Sequence, residues 1–252
     1  FCTTKSEVDY VSEKGFKKKI LITGSLRHYN IEKKNYPKKV KNIGIISTNK
    51  YIASRFNKNI IEEFLHRKKN GKEIFKDFIS YEMEFLNFLT EIEKLFYKKN
   101  VKFLFRPHPL EDKNSYKDFN FEIDNSSSTY EFLKKVDIVI NDYSSLALEC
   151  YLSNVPVLNI RKIILYRLKH LVNYLPLKFG YKVNSYKNLK ELILNKNFLI
   201  KYNISRDIKN EIDKELCRPI DTVKTISDYF IINKRSTKKS FSFFKFLKIL
   251  II

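Results

Sequence analysis

Two short polar segments carry the residue types that are suited to chemistry. The first is Arg106-Pro107-His108-Pro109, in which two prolines restrict the backbone around a single imidazole. A rigid histidine beside an arginine suits phosphate recognition or proton transfer. A loop histidine that merely ends a strand fits the same residues, so the spacing alone leaves both interpretations open.

The second segment is Asn141-Asp142-Tyr143-Ser144-Ser145, with Glu149 about one helical turn further on. Ser144 or Ser145 is placed to cap a helix, and a helix N-terminus presents unpaired N–H groups and a partial positive charge. Such a terminus suits a phosphate or diphosphate, and Glu149 could accept hydrogen bonds from sugar or ribose hydroxyls. An ordinary capped helix with a solvated glutamate is the alternative interpretation.

The elements that must position these segments are short apolar strands and amphipathic helices. The pattern predicts strands over 19–24, 40–47, 101–105, 119–123, 137–142 and 155–160. It predicts helices over 57–68, 73–99, 128–135, 145–153, 186–196, 207–216 and 221–232.

Strands and helices alternate, and the strands are continuous apolar runs, which is typical of a parallel sheet covered on both faces. The sequence therefore predicts a doubly wound, Rossmann-like α/β domain over 40–233. Residues 1–39 are interpreted as a linker and the end of a preceding domain, and 234–252 as a basic and apolar tail. In such sheets ligands bind beyond the carboxyl ends of the strands, where both polar segments fall.

Composition narrows the function classes. The 252 residues are 43% hydrophobic and 31% charged, as in soluble globular proteins. The three cysteines, Cys2, Cys150 and Cys217, form no C-x-x-C pair, which argues against a disulfide framework or structural zinc and favours a reducing compartment. The chain starts at Phe1 and has one methionine, Met83, so we expect it to be part of a longer protein.

The net charge of +21 predicts an anionic partner, namely nucleic acid, a membrane surface or a phosphorylated substrate. Only nine of the 49 basic residues are arginines, and a chain rich in Lys, Asn and Ile reflects A/T-rich codons, so composition accounts for much of this charge. A nucleic-acid-binding module rests on charge alone, since no zinc finger or aromatic RNA-binding motif is present.

The tail over 234–252 places a basic cluster before a Phe-rich apolar run. That run, 241–252, is too short to span a bilayer but could lie as a helix in an anionic membrane interface. A frayed tail that only reflects composition is the alternative.

The runs FLFRPHPLE and VDIVINDYSSLALECYLSNVPVLNI, in this order and spacing, resemble GT-B type glycosyltransferases that build bacterial surface carbohydrates. The resemblance includes the CDP-glycerol glycerophosphotransferase-like enzymes of teichoic acid synthesis and related capsule and lipopolysaccharide proteins. The opening run VDYVSEKGFKKKILITGSLRHYN is similar to the linker of that family. Asn154-Val155 departs from the pattern, which often has glycine or another small residue before the P-V strand.

The resemblance implies the C-terminal half of a GT-B fold and a transferase that moves a glycosyl or glycerol-phosphate group. It implies His108 as the catalytic histidine and Arg106, Ser144 and Ser145 as ligands of the donor phosphates. Glu149 and Asp142 are the implied nucleotide or sugar contacts, although the place of Asp142 in the motif, like that of Tyr143, also favours a role in shaping the turn.

The implied partners are a nucleotide-activated sugar or CDP-glycerol as donor, and a polysaccharide or lipid-linked acceptor, without specific nucleic acid. No metal or other cofactor is implied, and the expected location is cytoplasmic, at the inner face of the cell membrane. Because the catalytic base of GT-B enzymes usually belongs to the other domain, we expect this chain alone to bind donor weakly and to transfer nothing.

Two other enzyme classes use residue types like those of the two polar segments. Nucleotide-sugar epimerases of GT-B fold have a comparable histidine loop and remain an alternative. A Ser-His-Asp hydrolase built from Ser144, His108 and Asp142 is excluded, because Asp142 and Ser144 share one turn and no G-x-S-x-G elbow is present.

Overall fold

The computed structural model describes residues 5–15, 20, 31–35, 39–48, 62, 66, 71–164, 178, 180–195, 205–216 and 227–228. The chain divides into two compact units, one over 31–208 and one formed by 1–30 with 209–252. The strand predicted over 19–24 and the tail over 234–252 lie outside the described residues, as do most of the helices predicted over 57–68 and 221–232.

The unit over 31–208 contains a six-stranded sheet and four helices within its described residues. In chain order the elements are β1 (Asn42–Ile46), α2 (Gly71–Phe96), β2 (Lys102–Arg106), a 3-10 turn (Lys113–Tyr116), β3 (Glu122–Ile123), α3 (Thr129–Lys135), β4 (Ile138–Asn141), α4 (Leu146–Leu152), β5 (Val157–Asn159), β6 (Tyr181–Lys182) and α5 (Tyr186–Leu194). The other unit contains α1 (Lys5–Glu13). The helix α6 (Arg206–Leu216) begins in the last residues of the first unit and ends in the other unit.

All six strands are parallel, and their order across the sheet is β3-β2-β1-β4-β5-β6. This order confirms the predicted doubly wound α/β fold, in which the chain moves outward in one direction from β1 and then returns to β4 on its other side. The edge strand β6 was not predicted because its two residues are exposed and form no apolar run.

One row of paired residues crosses the whole sheet. It runs through Ile123, Phe105, Ile45, Ile140, Leu158 and Tyr181. The residue after each member is the last of its strand or, for β3, the first beyond it, and most of these residues are polar: Asp124, Arg106, Asn141, Asn159 and Lys182. The carboxyl edge of the sheet is therefore a single line from which the loops emerge.

Helices cover both faces of the sheet. On one face α2 contributes Tyr81, Phe85 and Phe88 to a buried cluster that contains Ile45 and Phe105 of the sheet. On the other face Gly44 of β1 approaches α3 so closely that a Cβ at position 44 would lie 2.7 Å from the Phe132 ring. Glycine at this position lets α3 pack directly on the central strand. Among the described residues, no helix has the length and apolar character needed to cross a membrane.

A lysine joins the segment before β1 to the end of α3. The Lys34 ammonium donates hydrogen bonds to the carbonyls of Leu133 (3.0 Å), Lys134 (3.0 Å) and Val136 (2.7 Å). These carbonyls belong to the last turn of α3 and the residue after it, where a helix leaves acceptors unpaired and favours a cation. Partial burial lowers the pKa of Lys34, and Asp137 opposes this shift.

Asn154 also contacts the segment before β1 that carries Lys34. Its contacts explain why asparagine stands here where the family pattern often has glycine or another small residue. It follows the last turn of α4 with a positive φ of 61°, a conformation that glycine adopts freely and asparagine tolerates. Its side-chain amide donates to the carbonyl of Lys34 at 3.0 Å. Asparagine thus supplies the turn geometry and also a bond that glycine could not make.

Replacement of the lysine by methionine tests this junction. We expect Lys34→Met to lower the free energy of unfolding by about 1–2 kcal/mol, because the carbonyls at the end of α3 lose a charged donor. Lys33→Met is the matched control, since Lys33 is the exposed neighbour. Urea unfolding of both variants measures the difference, and equal stability of the two would contradict the assigned role of Lys34.

Candidate functional site

The loops after β1, β2, β4 and β5 meet where the strand order reverses. Since β1 lies between β2 and β4, and neighbouring strands are about 4.8 Å apart, the ends of β2 and β4 are separated by about 10 Å. The loop 106–109 leaves one of these ends and the turn 141–145 leaves the other. The structure therefore brings the two polar segments found in the sequence to the same part of the sheet edge.

Ser144 organises the turn after β4. Its N–H donates to Asn141 Oδ1 at 3.1 Å, and its hydroxyl accepts the N–H of Leu146 at 3.3 Å. Ser145 already has helical backbone angles, and its exposed side chain makes no capping hydrogen bond. Of the two serines, Ser144 shapes the helix start and Ser145 presents its hydroxyl at the surface.

Tyr143 connects this turn to the end of β1. Its hydroxyl donates to the carbonyl of Thr48 at 3.4 Å, and its ring packs edge-on against Tyr81 with the centroids 5.0 Å apart. Tyr81 belongs to α2 and is fully buried. The turn is thereby held between the core helix α2 and the neighbouring strand end.

Asp142 is buried and is bound to Arg161, whose Nη1 lies 3.2 Å from Oδ2 of the carboxylate. Burial raises the pKa of Asp142, and Arg161 acts against this shift. Burial also raises the pKa of Tyr81 well above its usual range, and the neighbouring Asp142 raises it further. The Tyr81 hydroxyl is a hydrogen-bond partner of the Asp142 carboxylate, and this contact lowers the pKa of Asp142 and raises that of Tyr81.

Arg161 was not found by sequence reasoning. It lies two residues after β5, where its N–H donates to Asn159 Oδ1 at 3.0 Å. The available signal was the position itself, since a polar residue just beyond a strand of the parallel sheet falls on the same edge as the other loops. The ion pair to Asp142 joins the loops after β4 and β5.

Glu149 lies in α4 with only 3% of its surface exposed. The solvated glutamate of the alternative interpretation is therefore not what the structure contains. Burial of the neighbouring Cys150 thiol raises its pKa well above the usual range, and the charge of Glu149 adds to that shift. A buried carboxylate close to a ligand-binding edge is a frequent feature of functional sites.

His108 has a defined ring orientation within its loop. Its Nδ1 accepts the N–H of Leu110 at 3.1 Å, and its carbonyl accepts the N–H of Glu111 at 2.8 Å. Because Nδ1 acts as an acceptor, the neutral ring carries its proton on Nε2. An Nε2–H group is a suitable donor to a phosphate oxygen.

Arg106 turns towards α3. Its guanidinium is ion-paired with the buried Asp124 and lies 5.3 Å from the centroid of the Phe132 ring. Although burial acts to raise it, hydrogen bonds from Ser126 and Arg106 hold the pKa of Asp124 below its usual value. Arg106 therefore braces the loops after β2 and β3, and the role in phosphate binding stays a prediction.

Glu111 forms a buried cluster that sequence reasoning also missed. Ser47 donates to its Oε1 at 2.9 Å and the Tyr116 hydroxyl donates to its Oε2 at 2.7 Å. Burial raises the pKa of Glu111 to about 8, with Glu82 adding to the rise and the two hydroxyls opposing it. The signal in the sequence was a carboxylate three residues after the histidine, within the same proline-rich loop.

No group of three or more His, Cys, Asp or Glu side chains is arranged to hold a metal ion within the described ranges. A cavity of about 790 Å³ lies at the amino ends of β2 and β3, lined in part by Phe96, Phe103 and Phe121. That cavity is at the opposite edge of the sheet from the loops that carry the predicted site residues.

The family comparison matches most of the chain. The model of the family described as CDP-Glycerol:Poly(glycerophosphate) glycerophosphotransferase matches residues 20–197. A search of curated proteins finds no significant match to the chain.

The solved structures that resemble this chain include a polymerase and an epimerase. A variant of the wall teichoic acid polymerase TagF with CDPG is 14% identical with a TM-score of 0.53, and the alignment covers 93% of this chain and 57% of that chain. The Methanocaldococcus jannaschii UDP-GlcNAc 2-epimerase in complex with UDP-GlcNAc and UDP is 16% identical with a TM-score of 0.34, covering 84% of this chain and 59% of that chain. The likeness to TagF supports the fold alone, and the epimerase score carries no argument.

The raised pKa of Glu111 predicts a pH-dependent stability. The folded protein keeps this proton up to a pH of about 8, whereas the unfolded chain releases it near 4.5. The proton held by Glu111 therefore contributes fully to the free energy of unfolding below about pH 4.5. This contribution is lost as the pH rises to 8, by at most about 1.4 kcal/mol per pH unit. Urea unfolding at pH 5, 6, 7 and 8 should show a smaller decline for Glu111→Gln than for the wild type. Glu122→Gln, at an exposed position, should keep the wild-type slope.

Because Asp142 and Arg161 form a buried ion pair, we expect the effects of substituting them on the free energy of unfolding to be strongly coupled. Arg161→Met should lower the free energy of unfolding by about 3 kcal/mol, because it leaves a buried carboxylate without its cation. The double variant Asp142→Asn/Arg161→Met should lose clearly less than the sum of the two single variants. Lys162→Met is the exposed control, and additive single effects would show that the pair is not coupled.

Proposed function

Because the chain belongs to the CDP-glycerol:poly(glycerophosphate) glycerophosphotransferase family, we propose that its sheet edge binds CDP-glycerol and supports transfer of glycerol phosphate to a glycerol phosphate polymer. The observation that carries this proposal is that the His108 loop and the Ser144 turn emerge at two strand ends flanking β1, at the point where the strand order reverses. Ligands of doubly wound sheets bind at this point.

The reaction requires stabilisation of negative charge. A terminal hydroxyl oxygen of the acceptor forms a bond to the phosphorus that bears glycerol, and the bond from that phosphorus to the bridging oxygen breaks. CMP leaves with the bonding electrons, and the hydroxyl proton passes to a base. Since charge spreads over the phosphate oxygens in such transfers, positioned N–H and O–H donors lower the barrier.

Different residues of this chain have different roles in binding the donor. In the proposal, Nε2–H of His108 and the hydroxyls of Ser144 and Ser145 donate to the two donor phosphates. Glu149, buried in α4, accepts hydrogen bonds from ribose or glycerol hydroxyls. Arg106 acts on the same loop through its ion pair with Asp124.

A buried polar atom at the end of β4 supports a polar ligand there. Asn141 Nδ2 completes no hydrogen bond of normal geometry among the residues that the structure describes. A buried polar atom without a partner costs about 1–3 kcal/mol, so a ligand that supplied donors and acceptors would recover part of that cost. The ribose and phosphates of a nucleotide carry both kinds of group.

The proposal includes no resident metal, since the Nε2–H group of His108 and the hydroxyls of Ser144 and Ser145 take the role of stabilising the phosphates. The family match favours the transferase over a nucleotide-sugar epimerase. The proposed location is the cytoplasmic face of the membrane, where the basic and apolar tail over 234–252 would contact anionic lipid and bring the site to a lipid-linked acceptor.

Calorimetric titration of the purified chain with CDP-glycerol, CDP, CMP, UDP and ADP tests this function. We expect weak binding of the cytidine nucleotides, unchanged by EDTA, and no transfer by this chain alone. His108→Ala and the double variant Ser144→Ala/Ser145→Ala should each weaken binding by about tenfold or more, because each removes donors to charged oxygens.

Ser185→Ala is the matched control. Ser185 caps α5 by accepting the N–H of Asn188 at 3.1 Å, and it follows the edge strand β6 rather than a strand beside β1. Its loss should leave nucleotide affinity unchanged. Binding of UDP or ADP as tight as that of CDP, or wild-type affinity in both site variants, would contradict the proposed site.

A further inference from the structure

We propose that Glu111 is the positioning residue that attaches the His108 loop to the end of β1. The effect of Glu111 on donor binding rests on the function proposed above. The effect of Glu111 on the position of His108 does not rest on that function, because the attachment is a property of the folded chain.

The bonds that shape the loop are local. The Leu110 N–H binds His108 Nδ1 at 3.1 Å, and the Glu111 N–H binds the His108 carbonyl at 2.8 Å. These contacts span two and three residues, and the flanking prolines restrict the same short stretch. They define the shape of the turn, but they do not determine where the turn lies relative to the rest of the sheet edge.

The Glu111 side chain makes the connection across the sheet edge. Its carboxylate oxygens accept the hydroxyls of Ser47 at 2.9 Å and Tyr116 at 2.7 Å, and those two hydroxyl oxygens lie 3.3 Å apart. Ser47 follows β1 and is 64 residues away in the chain. Two hydroxyls, one from the end of β1 and one from the 3-10 turn, therefore meet at the carboxyl group of Glu111.

Both partners are themselves firmly placed. Ser47 donates its main-chain N–H to the carbonyl of Arg106 at 3.0 Å, which continues the pairing of β1 and β2. The Tyr116 ring packs on Phe105 of β2 with the centroids 4.4 Å apart, and its surface is fully buried. Glu111 thus ties the loop to the two strands that are central to the candidate site.

Glutamine is the informative replacement at this position. Burial raises the pKa of Glu111 to about 8, so an uncharged side chain of the same size suits its site. Glutamine has the same size and no charge. Its Oε1 can accept one of the two hydroxyls, and its amide N–H can donate to the oxygen of the other, so both contacts can persist. Alanine removes them, and Ser47→Ala and Tyr116→Phe each remove one.

The first experiment follows the His108 ring by ¹⁵N NMR at pH 7, with His108→Ala used to assign its signals among the four histidines. In the wild type we expect an Nδ1 that is an acceptor and an Nε2 that carries the proton. Glu111→Ala should shift the His108 ring signals, because the ring no longer has the same surroundings at the sheet edge. Ser47→Ala and Tyr116→Phe should give smaller shifts, and Glu111→Gln should keep the wild-type signals.

A core variant separates positioning from general loss of stability. Val136→Ala removes apolar contacts at a buried site outside the loop and should leave the His108 signals unchanged. Wild-type signals in Glu111→Ala, or the same change in Val136→Ala, would overturn the proposal. If Glu111→Ala does not fold, wild-type signals in both Ser47→Ala and Tyr116→Phe would overturn it equally.

The second experiment measures CDP-glycerol affinity in the same variants. We expect Glu111→Ala to bind about tenfold more weakly than the wild type, and Glu111→Gln to stay within about threefold, because a displaced loop misplaces a donor group. Absence of CDP-glycerol binding in every protein, the wild type included, would count against the proposed function. The NMR comparison would still decide the role of Glu111.

Discussion

The alignment of the six strand ends is the constraint on which the rest of the structure depends. Parallel pairing places Phe105, Ile45 and Ile140 in one row, so the loops after β2, β1 and β4 leave the sheet side by side. Parallel strands connected by helices all point the same way, and this brings residues far apart in the chain to one edge. A shift of one residue in this pairing would move one strand end by about 3.3 Å and turn its side chains to the other face of the sheet.

Buried charges and hydrogen bonds then hold each loop in place at that edge. Asp142 with Arg161, Asp124 with Arg106, and Glu111 with its two hydroxyl partners each join two or more loops. Such groups are costly to bury and are stable only when their partners are present. The same contacts that fold the loops therefore determine where His108 and Ser144 lie relative to each other.

Much of the fold followed from local patterns. The apolar runs predicted β1, β2, β4 and β5 to within a few residues, because buried parallel strands have no polar face to interrupt them. The 26-residue helix α2 was predicted from its regular apolar stripe. The short edge strand β6 escaped prediction since an exposed pair of residues leaves no hydrophobic signal.

The sequence by itself determined the α/β class, the family resemblance and the two polar segments, because these depend on residue types and spacing along the chain. Only the tertiary structure decided that Ser144 shapes the helix start, that Arg106 is engaged by Asp124, and that Glu149 is buried. It also revealed Glu111 and Arg161, whose partners are 64 and 19 residues away along the chain. Contacts between distant segments leave no periodic trace in a single sequence, and they exist only once the strands have paired.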